Sequence, residues 1–289
     1  MDTATTNVSL SIVIPAKDEM ATIESVVTGM RQRFPEAEIV VVDDGSVDGT
    51  GSLAEKAGAR VIRHPESLGN GAAIKSGART ANGDLLCFMD ADGQHDPAEV
   101  ASLIEKLEEG YDMAVGARNS GSHAGVGRLF ANSFYSRFAS VITGHRIPDL
   151  TSGFRIVRSH LFKRFLYLLP NGFSYPTTIT MAFLRSGYPV GFVPIRSGQR
   201  AGKSHIRPLR DGLRFVVIIF KVATLYAPLK VFVPVSGFFF ATGLGYYIYT
   251  YVTMGRFTNM SLLVFSASVI IFLIGLISEQ ITALTYSKS

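Results

Sequence analysis

The sequence lacks tryptophan altogether and has a single cysteine among 289 residues. One cysteine excludes a disulfide framework, and the apolar run around Cys87 indicates a core position. Because the sequence has no tryptophan, the protein cannot belong to an enzyme class whose signature motif contains that residue. Residues 1 to 9 contain no cationic segment followed by an apolar one, so we predict no signal peptide and expect the first 200 residues to stay in the cytosol.

Charge is missing from two long stretches near the C-terminal end. They run from 231 to 255 and from 257 to 278, with only Arg256 between them. Since about 20 apolar residues cross the hydrocarbon core of a bilayer, each stretch is long enough to span a membrane. Two buried helices of a soluble core are the alternative. The stretches also account for a mean hydropathy of +0.25.

Basic residues are concentrated just before the first of these stretches. Between 196 and 230 there are eight Lys or Arg and one Asp, so this segment carries +7 and the rest of the chain −2 of the net +5. The basicity therefore belongs to a membrane-proximal belt and not to a nucleic-acid-binding surface. Such a belt marks the cytoplasmic side of a membrane and attracts anionic lipid. Both termini are then expected in the cytosol, at the plasma membrane of a bacterium or archaeon or the endoplasmic reticulum of a eukaryote.

Within the belt, cations recur at helical intervals beside the apolar run 216–220. This pattern predicts an interfacial amphipathic helix over residues 206 to 226, with a soluble helix bearing a basic face as the alternative. The chain is thus expected to consist of a cytosolic domain (1–205), a juxtamembrane amphipathic segment (206–230) and a two-helix transmembrane anchor with a short cytosolic tail (231–289).

The first 116 residues alternate between short β-rich runs and helical patterns. The runs are 10–14, 38–42, 59–63, 84–89 and 112–116, and the helical patterns are 19–34, 48–57, 69–81 and 97–109. This alternation predicts an α/β fold with a Rossmann-like, mostly parallel sheet flanked by helices. Ligands bind outside the carboxyl ends of such strands. Polar loops follow the first, second and fourth runs, so we expect one site at this edge.

Asp90, Asp92 and Gln94 occupy alternate positions just after the fourth run. In an extended chain such side chains converge on one face. Oxygen ligands of this kind suit Mg²⁺ or Mn²⁺, and three leave coordination positions open for phosphate oxygens. A solvated turn is the alternative. Asp48 and Asp96 are predicted to be helix caps and not ligands.

Four motifs taken together resemble those of family 2 glycosyltransferases, which have the GT-A fold. They are 11–19, 42–50, 68–73 and 89–95. Three later motifs, 115–118, 149–155 and 200–204, narrow the resemblance to the polyprenyl-phosphate branch, which includes dolichyl-phosphate mannose synthase and bacterial polyprenyl-phosphate glycosyltransferases. The resemblance covers roughly residues 9 to 211.

The resemblance implies a role for each matching residue. The nucleotide pocket would be lined by Pro15, Ala16, Glu19 and Ala91, with Asp44 bonded to the base. Asp90, Asp92 and Gln94 would hold the metal against the diphosphate of a nucleotide sugar, and Arg200, Lys203 and Ser204 would close over the donor phosphates. The acceptor phosphate would be bound by Arg118, Arg128 and Asn132, where related enzymes often place a serine. Catalysis is expected to depend on Asp92, Arg118 and Arg128.

The implied reaction is a single-step, inverting transfer of a sugar from a UDP- or GDP-hexose to a dolichyl or undecaprenyl monophosphate. A lipid monophosphate is largely ionised at neutral pH and needs orientation, for which arginine is suited, and not a general base. The expected partners are a nucleotide sugar, a polyprenyl phosphate lipid and the membrane, without nucleic acid; a homo-oligomer is left open.

Two alternative functions are a membrane-anchored transferase acting on a glycan or protein hydroxyl, and a non-catalytic nucleotide-sugar-binding scaffold. A processive synthase of the cellulose or hyaluronan type is expected to carry Gln-x-x-Arg-Trp. The absence of tryptophan argues against that class.

Overall fold

The structure is a computed structural model. It describes residues 8–118, 136–137, 139–172, 174–195, 220, 224 and 226–287. The chain divides into two compact units: residues 1–140 with 145–206, and residues 141–144 with 207–289. Most of the segment predicted to form an interfacial amphipathic helix, 206–226, lies outside the described residues.

The first unit is built on a seven-stranded sheet. Its strands in chain order are β1 (Leu10–Ala16), β2 (Glu38–Asp43), β3 (Arg60–Arg63), β4 (Leu85–Phe88), β5 (Met113–Arg118), β6 (Arg155–Arg158) and β7 (Val190–Ile195). Their order across the sheet is β3-β2-β1-β4-β6-β5-β7. All neighbouring pairs are parallel except those of β6, which is antiparallel to β4 and β5. The predicted mostly parallel sheet is confirmed.

Helices follow the strands. They are α1 (Ile23–Arg33), α2 (Thr50–Lys56), α3 (Asn70–Thr80), α4 (Pro97–Glu108), α5 (Ser159–Arg164), a short 3-10 helix (Leu166–Leu168) and α6 (Tyr175–Arg185). The first helix was expected from residue 19 but begins at Ile23, because the preceding residues form a turn in which Asp18 has φ +53°.

The two predicted helix caps differ in outcome. Asp96 caps α4 as predicted, accepting a hydrogen bond from the N–H of Ala98 at 2.9 Å ahead of Pro97. The N-cap of α2 is Gly49 and not Asp48. Asp48, one residue before this N-cap, nevertheless accepts a hydrogen bond from the N–H of Thr50 at 3.0 Å. It therefore satisfies a backbone amide in the first turn of α2.

The central strands carry the core. Ile12, Ile14 and Cys87 are fully buried and pack with apolar residues of α1 and α4. Burial of a side chain the size of isoleucine stabilises the fold by roughly 1.5–3 kcal/mol. Burial also raises the pKa of the Cys87 thiol to about 12, as fits its predicted core position.

The second unit contains two long apolar helices, α7 (Pro228–Met254) and α8 (Asn259–Ser287). By length and composition, both are long and apolar enough to cross a membrane. They pack as a hairpin in which Ser236 Oγ donates to the carbonyl of Ser268 and Ser268 Oγ donates to the carbonyl of Ser236, each at 3.0 Å. In an apolar surrounding, such reciprocal bonds and small residues hold helices together.

Candidate active site

Three loops meet at the carboxyl edge of the sheet, following β1, β2 and β4. The N–H of Asp18 donates to Ser46 Oγ, and the N–H of Val47 donates back to Asp18 Oδ1, both at 3.0 Å. The hydroxyl of Thr22 donates to the carbonyl of Ala91 at 2.7 Å. The structure therefore brings together the polar loops that the sequence places on one edge.

Pro15 and Ala16 end β1 at this edge, and the carbonyl of Ala16 accepts from the N–H of Asp44 at 2.9 Å. Glu19 lies in the next turn, where its N–H donates to Thr50 Oγ1 at 2.9 Å. These contacts fix the wall predicted to face the nucleotide. The role of the individual side chains in binding stays a prediction.

Asp44 is only 4% exposed, and both of its oxygens are engaged. Oδ1 accepts from His64 Nδ1 at 2.7 Å and from the N–H of Leu68 at 2.9 Å; Oδ2 accepts from Ser67 Oγ at 2.8 Å and the N–H of Gly69 at 2.9 Å. Burial opposes ionisation, but these four bonds together lower the pKa of Asp44. Asp44 therefore fixes the segment 64–69, a role that sequence reasoning missed, and its contact with a base stays a prediction.

The Asp90–Gln94 segment is a turn and not an extended chain. Residues 91 and 92 are in a turn conformation, Gly93 has φ +73°, and Asp92 Oδ1 accepts from the N–H of Gln94 at 3.2 Å. The strand-alternation argument for convergence of Asp90, Asp92 and Gln94 is therefore wrong. That these three side chains bind one ion stays a prediction.

The surroundings of Asp90 nonetheless fit a cation. Its side chain is 43% exposed, and no described residue donates a hydrogen bond to its carboxylate. Among the described residues, His95 Nε2 lies 3.7 Å from Oδ2. An acceptor-only carboxylate without donors suits a hard divalent ion. Within the described ranges no group of three His, Cys, Asp or Glu side chains is placed to hold a metal.

His95, to which the sequence assigns no chemistry, lies beneath this turn. Its ring is buried and stacks on Phe154 with 4.5 Å between ring centroids. The adjoining Gly153 also touches the turn, since a Cβ there would lie 3.4 Å from Asp90 Oδ1. The sequence offers one signal for the placement of His95 at the site, namely that it follows Gln94 in the motif. Its packing against Phe154 joins residues that are far apart in the sequence and could not be predicted.

Arg118, at the end of β5, is held by the buried Asp149. Nε donates to Asp149 Oδ2 at 2.8 Å and Nη2 to Oδ1 at 3.2 Å, while Nη2 also reaches Thr151 Oγ1 at 2.8 Å. Burial opposes the charge on each partner, but their hydrogen bonds raise the pKa of Arg118 and lower that of Asp149. Asp149 and Thr151 lie in a motif singled out from the sequence, yet their pairing with Arg118 was missed.

Arg155 is a second cation of this region and is fully buried. Nη1 donates to the carbonyl of Pro176 and to Thr180 Oγ1, each at 3.1 Å, and Nη2 donates to the carbonyl of Ser152. Burial lowers its pKa. Arg155 thus anchors the backbone that leads to Gly153. The other predicted site residues lie outside the described part of the chain: Arg128, Asn132, Arg200, Lys203 and Ser204.

Comparison with known proteins gives the class. The chain belongs to glycosyl transferase family 2, whose model matches residues 11–166, more than half of its length. A second model, described as the GtrB C-terminal hairpin, matches residues 227–284 and so covers all of α7 and α8 up to residue 284. The resemblance inferred from the motifs is confirmed.

Individual relatives narrow the comparison. The chain is 30% identical over 216 residues to a dolichyl-phosphate hexose transferase of Haloferax volcanii, covering 74% of this chain and 93% of the relative. It is 29% identical to the glycosyltransferase AglJ of the same organism, covering 83% of this chain and 80% of the relative. It is 28% identical to a polyprenol monophosphomannose synthase of Mycolicibacterium smegmatis, covering 65% of this chain and 77% of the relative.

Solved structures share the fold. Glucosyl-3-phosphoglycerate synthase from Mycobacterium tuberculosis, crystallised with Mg²⁺ and UDP, has a TM-score of 0.60 and 25% identity over 75% of this chain and 80% of that chain. The same enzyme was also crystallised with Mn²⁺, UDP-glucose and phosphoglyceric acid, at 23% identity and the same TM-score of 0.60. The GT-A fold is therefore confirmed.

Proposed function

We propose that the chain transfers a hexose from a nucleotide sugar to the phosphate of a polyprenyl monophosphate at the cytoplasmic face of a membrane. The observation that carries the proposal is the presence, in one chain, of an arginine held at the sheet edge by Asp149 and of a hairpin of membrane-spanning length. The relatives named for polyprenyl- and dolichyl-phosphate transfer support it.

The donor half of the site is assigned to the three interlocked loops. Pro15, Ala16, Glu19, Asp44 and Ala91 surround the nucleotide in this proposal. Asp90, Asp92 and Gln94 hold Mg²⁺ or Mn²⁺, which when bound neutralises charge that develops on the leaving nucleoside diphosphate. Arg200, Lys203 and Ser204 cover the donor phosphates.

The acceptor half is assigned to Arg118, Arg128 and Asn132. Their task is to orient an acceptor oxygen that is already anionic, so transfer needs no general base and proceeds by a single inverting displacement. Orientation of two bound reactants lowers the barrier because it removes the entropy cost of bringing them together.

The proposed roles of the donor and acceptor sites suggest how the three segments of the chain are organised at the membrane. Residues 1–205 form the cytosolic catalytic domain, 206–230 lie along the membrane surface, and 231–289 anchor the chain. A polyprenyl tail stays in the bilayer, so an anchored enzyme meets its phosphate at the membrane surface.

A donor screen tests the proposal. The full chain in detergent or nanodiscs is incubated with Mn²⁺ or Mg²⁺, a polyprenyl phosphate and a panel of UDP- and GDP-hexoses, and the lipid product is identified by mass spectrometry. We expect a polyprenyl-phosphate hexose with one donor. Labelled glycan or protein without any labelled lipid would instead establish a hydroxyl acceptor. If no donor supports transfer, the alternative function of a non-catalytic nucleotide-sugar-binding scaffold would be favoured.

A further inference from the structure

We propose that Asp149 is the positioning residue for acceptor binding: it locks the guanidinium of Arg118 in one orientation, so that its Nη1 edge faces the incoming phosphate. The inference rests on the proposed function. It assigns to a buried carboxylate the task of directing Arg118, and it excludes that carboxylate as the base of the reaction.

The first support is the geometry of the pair. Asp149 is 1% exposed, whereas the side chain of Arg118 is 36% exposed, so the carboxylate lies behind the guanidinium. The two bonds from Nε and Nη2, at 2.8 and 3.2 Å, engage one edge of the planar fork. Among the described residues none accepts a hydrogen bond from Nη1. The edge of the fork that contains Nη1 is therefore the one available to a phosphate.

The second support is that Asp149 is itself fixed. Its Oδ1 accepts from the N–H and from the hydroxyl of Thr151, each at 3.0 Å. Thr151 Oγ1 in turn accepts from Arg118 Nη2 at 2.8 Å. The three side chains form a closed ring of hydrogen bonds, and a carboxylate that is itself fixed by two hydrogen bonds holds the guanidinium more firmly than a single ion pair does.

The same contacts argue against proton transfer to Asp149. Both oxygens already accept hydrogen bonds, and the net effect of those bonds over burial is to lower the pKa of the carboxyl. A general base at neutral pH needs an accessible lone pair and a pKa near the working pH. Asp149 has neither property.

Removal of the Asp149 carboxylate is expected to change acceptor phosphate binding in opposite directions, depending on whether its charge or its orientation of Arg118 matters more. Asp149 neutralises Arg118, so on charge alone Asp149→Asn would strengthen phosphate binding. If orientation matters more, the same change weakens binding, because the amide of Asn donates where Arg118 needs an acceptor. The sign of the change in acceptor KM therefore distinguishes the two.

The experiment is a double-mutant cycle on the full chain in nanodiscs, with polyprenyl phosphate and the donor that the wild type uses. We expect Asp149→Asn to raise the acceptor KM at least tenfold while the donor KM stays within twofold. In the Arg118→Gln background the same change is expected to have no further effect on the acceptor KM, because the group that it positions is gone. Thr151→Val, which keeps both charges, should raise the acceptor KM by a smaller factor.

The matched control is Asp112→Asn. Asp112 Oδ1 accepts from Arg158 Nε at 3.2 Å, a more exposed Asp–Arg ion pair beside the first residue of β5 and the last residue of β6. We expect its kinetic constants to match those of the wild type. Since Asp149→Asn can impair folding, melting temperatures are measured for all variants, and Thr151→Val provides the result if Asp149→Asn does not fold.

Three results would overturn the inference. They are a fall in kcat with unchanged acceptor KM, an equal effect of Asp149→Asn in both backgrounds, and a lower acceptor KM. A wild-type chain that transfers no sugar to polyprenyl phosphate would instead overturn the proposed function, and the inference with it, so the two failures are separable.

Discussion

Three aspartates at the site differ in what surrounds their oxygens. Asp44 and Asp149 are buried and accept several hydrogen bonds each, whereas Asp90 is 43% exposed and accepts none from the described residues. A carboxylate saturated with donors fixes its neighbours, and one without donors is available for a cation. The same residue type thus serves structure at two positions, and we propose that it serves metal binding at the third.

The metal assignment predicts the effect of Asp92→Asn. Loss of one of two ligating carboxylates should lower turnover by roughly a hundredfold or more, since stabilisation of leaving-group charge is among the largest catalytic terms. Membrane insertion should be unaffected. Turnover and carbonate-resistant membrane association measure the two effects.

Asp96→Asn is the matched control for Asp92→Asn, because Asn is as good a helix cap as Asp and Asp96 caps α4. It should retain nearly full turnover. Near-normal activity of Asp92→Asn itself would contradict the metal assignment.

The hydrogen bonds of Asp44 predict a dependence of stability on pH. Its pKa is lowered from the ordinary 3.8 in the folded chain. A lowered carboxyl pKa contributes stability that is complete above the unfolded pKa and is lost as the pH falls through the folded one. Asp44→Asn should therefore destabilise the domain at pH 7, by about 1–3 kcal/mol, and by less as the pH falls below 3.8.

Thermal melting of wild type and variant between pH 7 and pH 3 measures this difference. Glu55→Gln serves as the comparison, because Glu55 forms an exposed ion pair with Arg63 and should change the melting temperature much less. A constant difference for Asp44→Asn across the pH range would contradict the argument.

At the scale of elements, the start of α3 is shaped by backbone contact. A Cβ on Gly71 would overlap the carbonyl oxygen of Pro170 and lie 2.8 Å from that of Gly172. The N–H of Ala72 donates to the carbonyl of Asn171 at 3.1 Å. The glycines there let α3 approach the segment 170–172 closely.

Gly71→Ala should consequently destabilise the domain by about 1–3 kcal/mol through overpacking. Gly172→Ala is the control from the other side of the contact, since a Cβ there meets nothing within 4 Å. Unfolding midpoints in urea, followed by circular dichroism of the purified full chain, compare the two. Equal midpoints would show that the backbone at 170–172 moves aside without cost.

The elements that could be predicted from the sequence are those whose apolar runs are local. β1, β2, β4 and β5 have buried, nearly uncharged centres. β6 begins with the fully buried Arg155, and the apolar edge strand β7 is interrupted by Gly191 and the exposed Pro194, so the sequence predicts neither strand. The candidate site likewise has parts that the local sequence predicts and parts that depend on contacts between distant residues. Its motifs could be read locally, but the Arg118–Asp149 pair joins residues 31 positions apart.

At the scale of the whole molecule, charge on either side of the first apolar helix determines the expected orientation. Seven cations precede α7 between 196 and 221, Lys230 lies in its first turn, and Arg256 is the lone charge between the two apolar stretches. Cytoplasmic loops carry the excess of Lys and Arg. The chain before α7 should therefore face the cytosol, and the connection between α7 and α8 should face the opposite side.

Single-cysteine labelling tests this orientation, and the chain is suited to it. Cys87 is fully buried with a pKa of about 12, so it should not react with a maleimide in the folded protein. Val47 is 93% exposed, and Arg256 is exposed in the connection between the helices. In right-side-out spheroplasts, a membrane-impermeant maleimide should label Arg256→Cys directly but Val47→Cys only after permeabilisation. The wild type gives the background, and labelling of Val47→Cys in intact spheroplasts would contradict the cytosolic placement of the domain.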